Sequence, residues 1–360
     1  MKARPPLYIF NWPSNVGGAD TKVTHLLLLL HRDYDITMVP NTREQLLQLG
    51  WRKFLKRLGV KAALWSELPK KLNGGALSLC NGRFLGEGTV LQAKQRGLRV
   101  IWSSEMMWHH GPEIAAVAFG VIDKVLYVSE MQKQLLAPGY GKCPSAITGN
   151  YIDPSFFPFS ERPRAADAPL VIGRLSRPDP AKFPPDFPEF YESLDLGRAA
   201  LPRRRTRGSV CATIQTKFRV MAWSEEMARV FKHHRFDARW DLLAKEAESQ
   251  VQFLHSLDLF VYSLGPNFRE SWGRSTVEAM LTGAVPLVPK GGGHHLENMV
   301  PHGKAGFVCA NNEDYREHVQ RLRKDVMLRK KFSRAARRHA ENELCNRAEH
   351  LRVWLEALGE

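Results

Sequence analysis

The sequence predicts an α/β protein with two doubly wound, parallel-sheet domains, and three observations lead there. Short apolar runs alternate along the chain with segments of helical spacing, which is the pattern of strand–helix–strand units. Glycine-rich turns follow predicted strands near both ends, at residues 17–18 and 291–293. The 360 residues suit two domains, each with an ample core.

Residues 7–10 read as the first strand, and NWPSNVGG (11–18) as a turn-rich loop into a helix over 19–31. Gly17 and Gly18 let backbone approach a ligand at that helix start. Residues 35–40 are the second strand. Residues 43–58 have helical spacing, with Leu46, Leu47, Phe54, Leu55 and Leu58 together and Arg52, Lys53, Lys56 and Arg57 opposite. Such a basic amphipathic helix suits an anionic membrane or nucleic acid, and equally a solvated face packed on its own sheet. Residues 62–64, 77–79, 98–102 and 124–129 are further strands, the last followed by a helix to about Leu136. Past Trp102 come Ser103, Ser104, Glu105, Trp108, His109 and His110, polar and aromatic residues where an open sheet places its ligand edge.

YIDPSFFPF (151–159), with Pro154 and Pro158, reads as the boundary between a domain over 1–152 and one over 153–342. The second opens with a strand over 170–173, then Arg174, Arg177 and Lys182. Residues 197–217, with the run PRRRTRG, read as a basic insertion: either a contact for phosphates or lipid head groups, or a mobile surface loop. A strand over 218–222 and helical segments follow. Residues 257–264 are a buried strand, Asn267 to Glu270 a turn, and 275–282 a helix with Val277, Met280 and Leu281 on one face. Gly283 stops that helix, and 284–288 is the next strand. Residues 314–338 are basic and helical, and 343–358 form the last helix.

The formal net charge is +15, with 19 Lys and Arg against 10 Asp and Glu in residues 1–150 and 33 against 27 in the rest. An anionic membrane or polyanionic partner fits that balance, as does plain solubility. Five scattered cysteines imply reduced thiols of a cytoplasmic protein and spell out no zinc site. No signal peptide is evident. The longest pure apolar run, residues 26–30, is too short for a bilayer, so the chain reads as cytoplasmic or peripheral at the inner membrane.

Glu270 and Glu278 flank the start of the 275–282 helix, where backbone N–H groups attract phosphate. Two carboxylates there suit a ligand with hydroxyls as well as phosphates, and a nucleotide sugar has both. The pattern Glu270-x-x-Gly273-x4-Glu278-Ala279-Met280, then Gly283-x-Val285-Pro286 and a glycine turn, resembles the signature of family 4 retaining glycosyltransferases of the GT-B fold. Trp272 stands where that family usually has Phe.

The resemblance implies two Rossmann-like domains facing each other across a cleft, with the terminal helix (about 343–360) crossing back to the first. It implies a donor such as a UDP- or GDP-sugar and no further cofactor. Glu270 would touch the donor sugar and Glu278 the ribose, with Ser271, Trp272 and Gly273 beside them. Gly17 and Gly18 would face the diphosphate. Arg174 matches the family's Gly-Arg-Leu, and Lys182, three residues beyond the usual spacing, or else Arg177, would complete the phosphate site. His109 is a candidate near the reacting centre, and residues 240–247 lie where the family contacts the base. No metal is implied, because Asp33-Tyr34-Asp35, similar to the metal-binding Asp-x-Asp of the other glycosyltransferase fold, precedes a strand instead of following one. The acceptor expected from the family is a lipid-linked or envelope saccharide, and the alternative is a hydroxylated base in phage DNA. A GT-B sugar-nucleotide epimerase and a non-catalytic nucleic-acid-binding protein are the remaining readings.

Overall fold

The computed structural model describes residues 3–14, 18–161, 168–195, 216–292 and 295–359. Gly17 and nearly all of the basic insertion, including Arg203 to Arg207, lie outside them. The chain forms two compact units, Met1–Asp153 with Cys345–Glu360, and Pro154–Leu344.

Among the described residues, the first unit holds a seven-stranded parallel sheet: β1 (Pro6–Ile9), β2 (Asp35–Met38), β3 (Lys61–Ala62), β4 (Gly75–Leu79), β5 (Arg99–Ser103), β6 (Lys124–Tyr127) and β7 (Ser145–Ile147). The spatial order is β3-β2-β1-β4-β5-β6-β7. Helices cover both faces, so the central strands β4, β5 and β6 are buried along nearly their whole length instead of alternating. Ile9, Leu77, Ile101 and Leu126 pack with the helix Gly18–Leu30 and with Trp354 of the last helix, Arg347–Leu358. Ala76, Val100, Trp102 and Val125 pack on the other face. The run 26–30 is thus core, and no helix among the described residues is long and apolar enough to cross a membrane.

The second unit repeats the plan with β8 (Leu170–Leu175), β9 (Thr216–Met221), β10 (Trp240–Leu243), β11 (Leu259–Val261), β12 (Val285–Pro289) and β13 (Phe307–Cys309). Among the described residues it is a six-stranded parallel sheet in the order β10-β9-β8-β11-β12-β13. In each sheet the chain reverses its winding direction at one point, between β1 and β4 and between β8 and β11. Open α/β sheets bind ligands beyond the strand C-termini at such a point.

Several elements differ from their expected form. The helix expected over 43–58 is two, Arg43–Leu46 and Leu49–Leu58. The break falls at Gln48, which is extended (φ −69, ψ 94) and whose side-chain oxygen accepts from Trp12 Nε1 at 2.8 Å. The basic segment 314–338 is also two helices, Asn312–Lys324 and Val326–His339, parted at extended Asp325, whose carboxylate caps the second. The last helix starts at Arg347 after a wide turn over Ala340–Leu344. Residues 145–147 pair as the edge strand β7, half-buried and too short to give a periodic signal.

Candidate functional site

At the end of β8 and β11 in the second unit, three loops converge. The chain leaves β8 through Arg174 and Leu175 and makes a tight turn, Pro180–Lys182, capped by Asp179. This turn lies directly on the loop after β11. Gly265 N donates to Lys182 O at 3.2 Å, and a Cβ on Gly265 would sit 2.2 Å from Ala181 O, so only glycine fits.

The contact delivers Lys182 to Glu270. Lys182 Nζ lies 2.9 Å from Glu270 Oε2, and the two side chains are 7% and 15% exposed. Tyr262 OH donates to the same carboxylate oxygen at 2.8 Å, and the Phe268 ring lies under the ammonium, 4.8 Å away. Burial alone would raise the Glu270 pKa. The Lys182 charge and hydrogen bonds from Lys182 and Tyr262 outweigh it and hold the carboxyl below its ordinary value. For Lys182 burial acts downward, but the facing Tyr262 and Glu270 win and keep the ammonium charged.

Arg174 is fully buried beneath this pair. Its guanidinium donates to Ser263 O at 2.6 Å and Lys182 O at 3.2 Å, and stacks on Phe183 and Tyr262. Arg174 therefore grips the backbone of the two loops that carry Lys182 and Glu270.

Beyond Glu270, Ser271 is half-buried and Trp272 buried. Gly273 then caps the helix Arg274–Thr282 at φ +86, where a Cβ would meet Leu296 at 2.3 Å. Glu278, in the second turn, is 3% exposed. It accepts from the Gln250 amide and lies 3.4 Å from the Arg274 guanidinium. Burial raises its pKa, and Arg274 and Gln250 only partly oppose that. The helix N-terminus between Glu270 and Glu278 adds backbone N–H donors. The set as a whole can hold an anion with an ammonium and helix amides while carboxylates orient hydroxyls.

In the first unit Gly18 begins the helix Gly18–Leu30. His109 is committed elsewhere: its Nε2 bonds Leu136 O at 2.8 Å and its ring meets Tyr140 edge-on, clamping the loop after β5 to the helix Glu130–Tyr140. Glu105 pairs with buried Lys22 at 2.7 Å and accepts from Ser103 Oγ. Asp35 pairs with Lys61. Among the described residues, no three His, Cys, Asp or Glu gather as metal ligands would.

Tyr262, Gln250 and Arg274 escape a reading from motifs. The one available signal is Tyr262, a phenol closing an otherwise apolar strand run.

No protein-family model matches this chain, and no curated protein matches it. Solved structures do. A glycosyltransferase from Rickettsia africae superposes with a TM-score of 0.70 at 11% identity, over 100% of both chains. HepE of Anabaena, in complex with UDP and glucose, gives 0.67 at 14% identity over 99% of both. The lipopolysaccharide outer core galactosyltransferase WaaB gives 0.60 at 12% over 98% of both. These are GT-B glycosyltransferases, and the chain has the GT-B fold.

Proposed function

We propose that the protein is a retaining glycosyltransferase that takes its sugar from a nucleotide sugar held by the second unit. The observation that carries this reading is the buried Lys182–Glu270–Tyr262 cluster beside the helix that presents Glu278, at the switch point of a parallel sheet. The complex of HepE with UDP and glucose supports the same ligand class.

In this reading Lys182 shifts from Glu270 to the diphosphate and neutralises the charge that builds on it as it departs. The helix N-terminus adds its amides, and Arg174 keeps Lys182 in place. Glu278 accepts from the ribose hydroxyls, and Glu270, released from Lys182, orients a hydroxyl of the transferred sugar. The acceptor oxygen bonds to the anomeric carbon on the face that the phosphate leaves. The carbon–phosphate oxygen bond breaks, and the acceptor proton passes to a phosphate oxygen. Lys182 and the helix supply the positive field, so the reaction needs no metal.

The acceptor is a saccharide presented at a membrane face. Leu47 and Leu49 are 65% and 67% exposed, beside the exposed Arg52, Lys53 and Lys56 of the helix Leu49–Leu58. That WaaB acts on lipopolysaccharide agrees with it.

The test is release of UDP or GDP from a panel of nucleotide sugars, with and without added saccharide acceptors and with a chelator present. Release that depends on the acceptor and disappears in Lys182→Met is expected. No release from any donor, or release that requires added manganese, contradicts the proposal.

A further inference from the structure

The helix Gly111–Ala118 of the first unit reverses the usual order of a surface helix, which turns apolar side chains inward and charges to water. Its one charged residue, Glu113, is fully buried. Glu113 Oε1 accepts from Tyr140 OH at 2.5 Å and from His110 N at 3.0 Å. Exposed to solvent instead are Gly111, Pro112, Ile114, Ala115, Ala118 and, at the helix end, Phe119. Phe119 is 83% exposed and Ile114 37%. The adjoining helix Glu130–Tyr140 adds Leu135, 38% exposed, and the bonds from His109 to Leu136 O and from Tyr140 to Glu113 lock the two helices together. We propose that this face is the interface of a homodimer, in which a second copy of the chain packs the same helix against it across a two-fold axis.

The distribution of charge selects a second copy as the occupant. Residues 106–141 carry two Lys and Arg against three Asp and Glu, in a chain of net charge +15. On the other flank, beside the helix Gly82–Gly86, Arg83 and Glu87 form an exposed pair 3.9 Å apart that is neutral as a unit. Two strongly cationic molecules repel over most of their surfaces, and an uncharged face is where they can meet at least cost. An anionic bilayer would call for cations beside the inserted apolar residues, and the exposed positions of this helix hold none. A phosphate-rich polymer would call for them too.

Size and shape agree with that partner. Phe119, Ile114 and Leu135 leave on the order of 300 Å² in water, the size at which an apolar patch marks an interaction surface. Two copies bring about 600 Å², half of what the smallest stable interfaces bury, and the small residues and the polar rim supply the rest. Gly111, Ala115 and Ala118 recur on one stripe of the helix, so two such helices can approach closely while Ile114 and Phe119 fill the grooves beside it. An isologous contact of this kind closes on itself and gives a dimer instead of a fibre.

Sedimentation velocity of the full chain, over a concentration series in low and in high salt, reads the assembly. A dimer with a Kd in the micromolar range or tighter is expected. It should tighten as salt is raised, because screening removes the repulsion between cationic copies. Phe119→Glu and, separately, Ala118→Arg should each weaken it at least tenfold by placing a charge in the contact. Both positions are exposed in the single chain, so both variants should keep the wild-type circular dichroism, and the salt dependence of the wild type reads the same contact without any substitution. Met327→Glu, at a position 71% exposed in the second unit, should leave the dimer as it is. Vesicles of neutral and of anionic phospholipid test lipid as the occupant. A wild type that stays monomeric at about 100 μM, a dimer that neither variant weakens or that salt dissolves, or vesicle binding that Phe119→Glu abolishes overturns the assignment.

Discussion

The two switch points use one geometry for opposite chemistry. In the second unit, Lys182 and Glu270 lie 2.9 Å apart with little solvent around either. In the first, Asn11, Asn41 and Asn81 line a crevice whose described lining side chains are uncharged. A buried ion pair is costly to desolvate and becomes more costly when one partner is lost. Interlocked amides lose only single hydrogen bonds. The difference teaches that one fold sets two loop clusters at equivalent points, while the loop side chains set the charge of each. It also ranks the expected effects of mutation.

Lys182→Met should have the largest effect, because it strands Glu270 in a site built around a cation. Thermal or denaturant unfolding of the second unit should show a loss of about 3–5 kcal/mol. Adding Glu270→Gln should restore most of it, and failure of the double variant to recover would show that the pair is not the cause. Gly265→Ala should come next, at about 1–3 kcal/mol, since its Cβ must push away the Ala181 carbonyl and part the two loops. A neutral result would mean that the turn Pro180–Lys182 is not held against the loop after β11.

Acidification separates the two glutamates of the second unit. The Glu278 pKa is raised, so on falling pH it protonates above the ordinary value of about 4.3, and in the proposed role it would then no longer offer a carboxylate to the ribose. The Glu270 pKa is lowered, so its stabilising contribution, full above the unfolded value, is lost only as pH falls through its lower folded value. Nucleotide affinity should therefore drop at a higher pH than the pair's share of stability. Coincident losses would contradict the assignment of Glu278. The smallest effect belongs to the first unit's crevice, where Asn41→Ala should cost about 0.5–1 kcal/mol, the loss of its hydrogen bond from Asn81.

Much of the fold was legible because buried parallel strands are uninterrupted apolar runs and glycines mark their turns. The reversal of strand order leaves no local trace, yet it is what gathers the site residues. Glu270, Gly273 and Glu278 were legible as a spaced pattern on one helix start. Tyr262 and Gln250 were not, because Tyr262 closes the preceding strand and Gln250 opens the neighbouring helix Gln250–Ser256, and no spacing marks either contact. Arg174 was visible as a residue, but not its burial, so Arg174→Ala tests folding as much as catalysis. The broken helix at Gln48 was invisible for the same reason, since Trp12, 36 positions away, holds it open.

The most direct test of the donor site is calorimetric titration of the wild type and of Glu278→Gln with UDP and with GDP, without metal. The substitution is isosteric and keeps an oxygen that can accept from Gln250 and face Arg274, and the unfolding of the variant is measured beside the titration. The wild type should bind one of the two nucleotides, and the variant should bind it about tenfold more weakly, as loss of a charge-assisted hydrogen bond requires. Equal affinity in the two proteins, or no binding of either nucleotide by the wild type, would contradict a nucleotide-sugar site on the second unit.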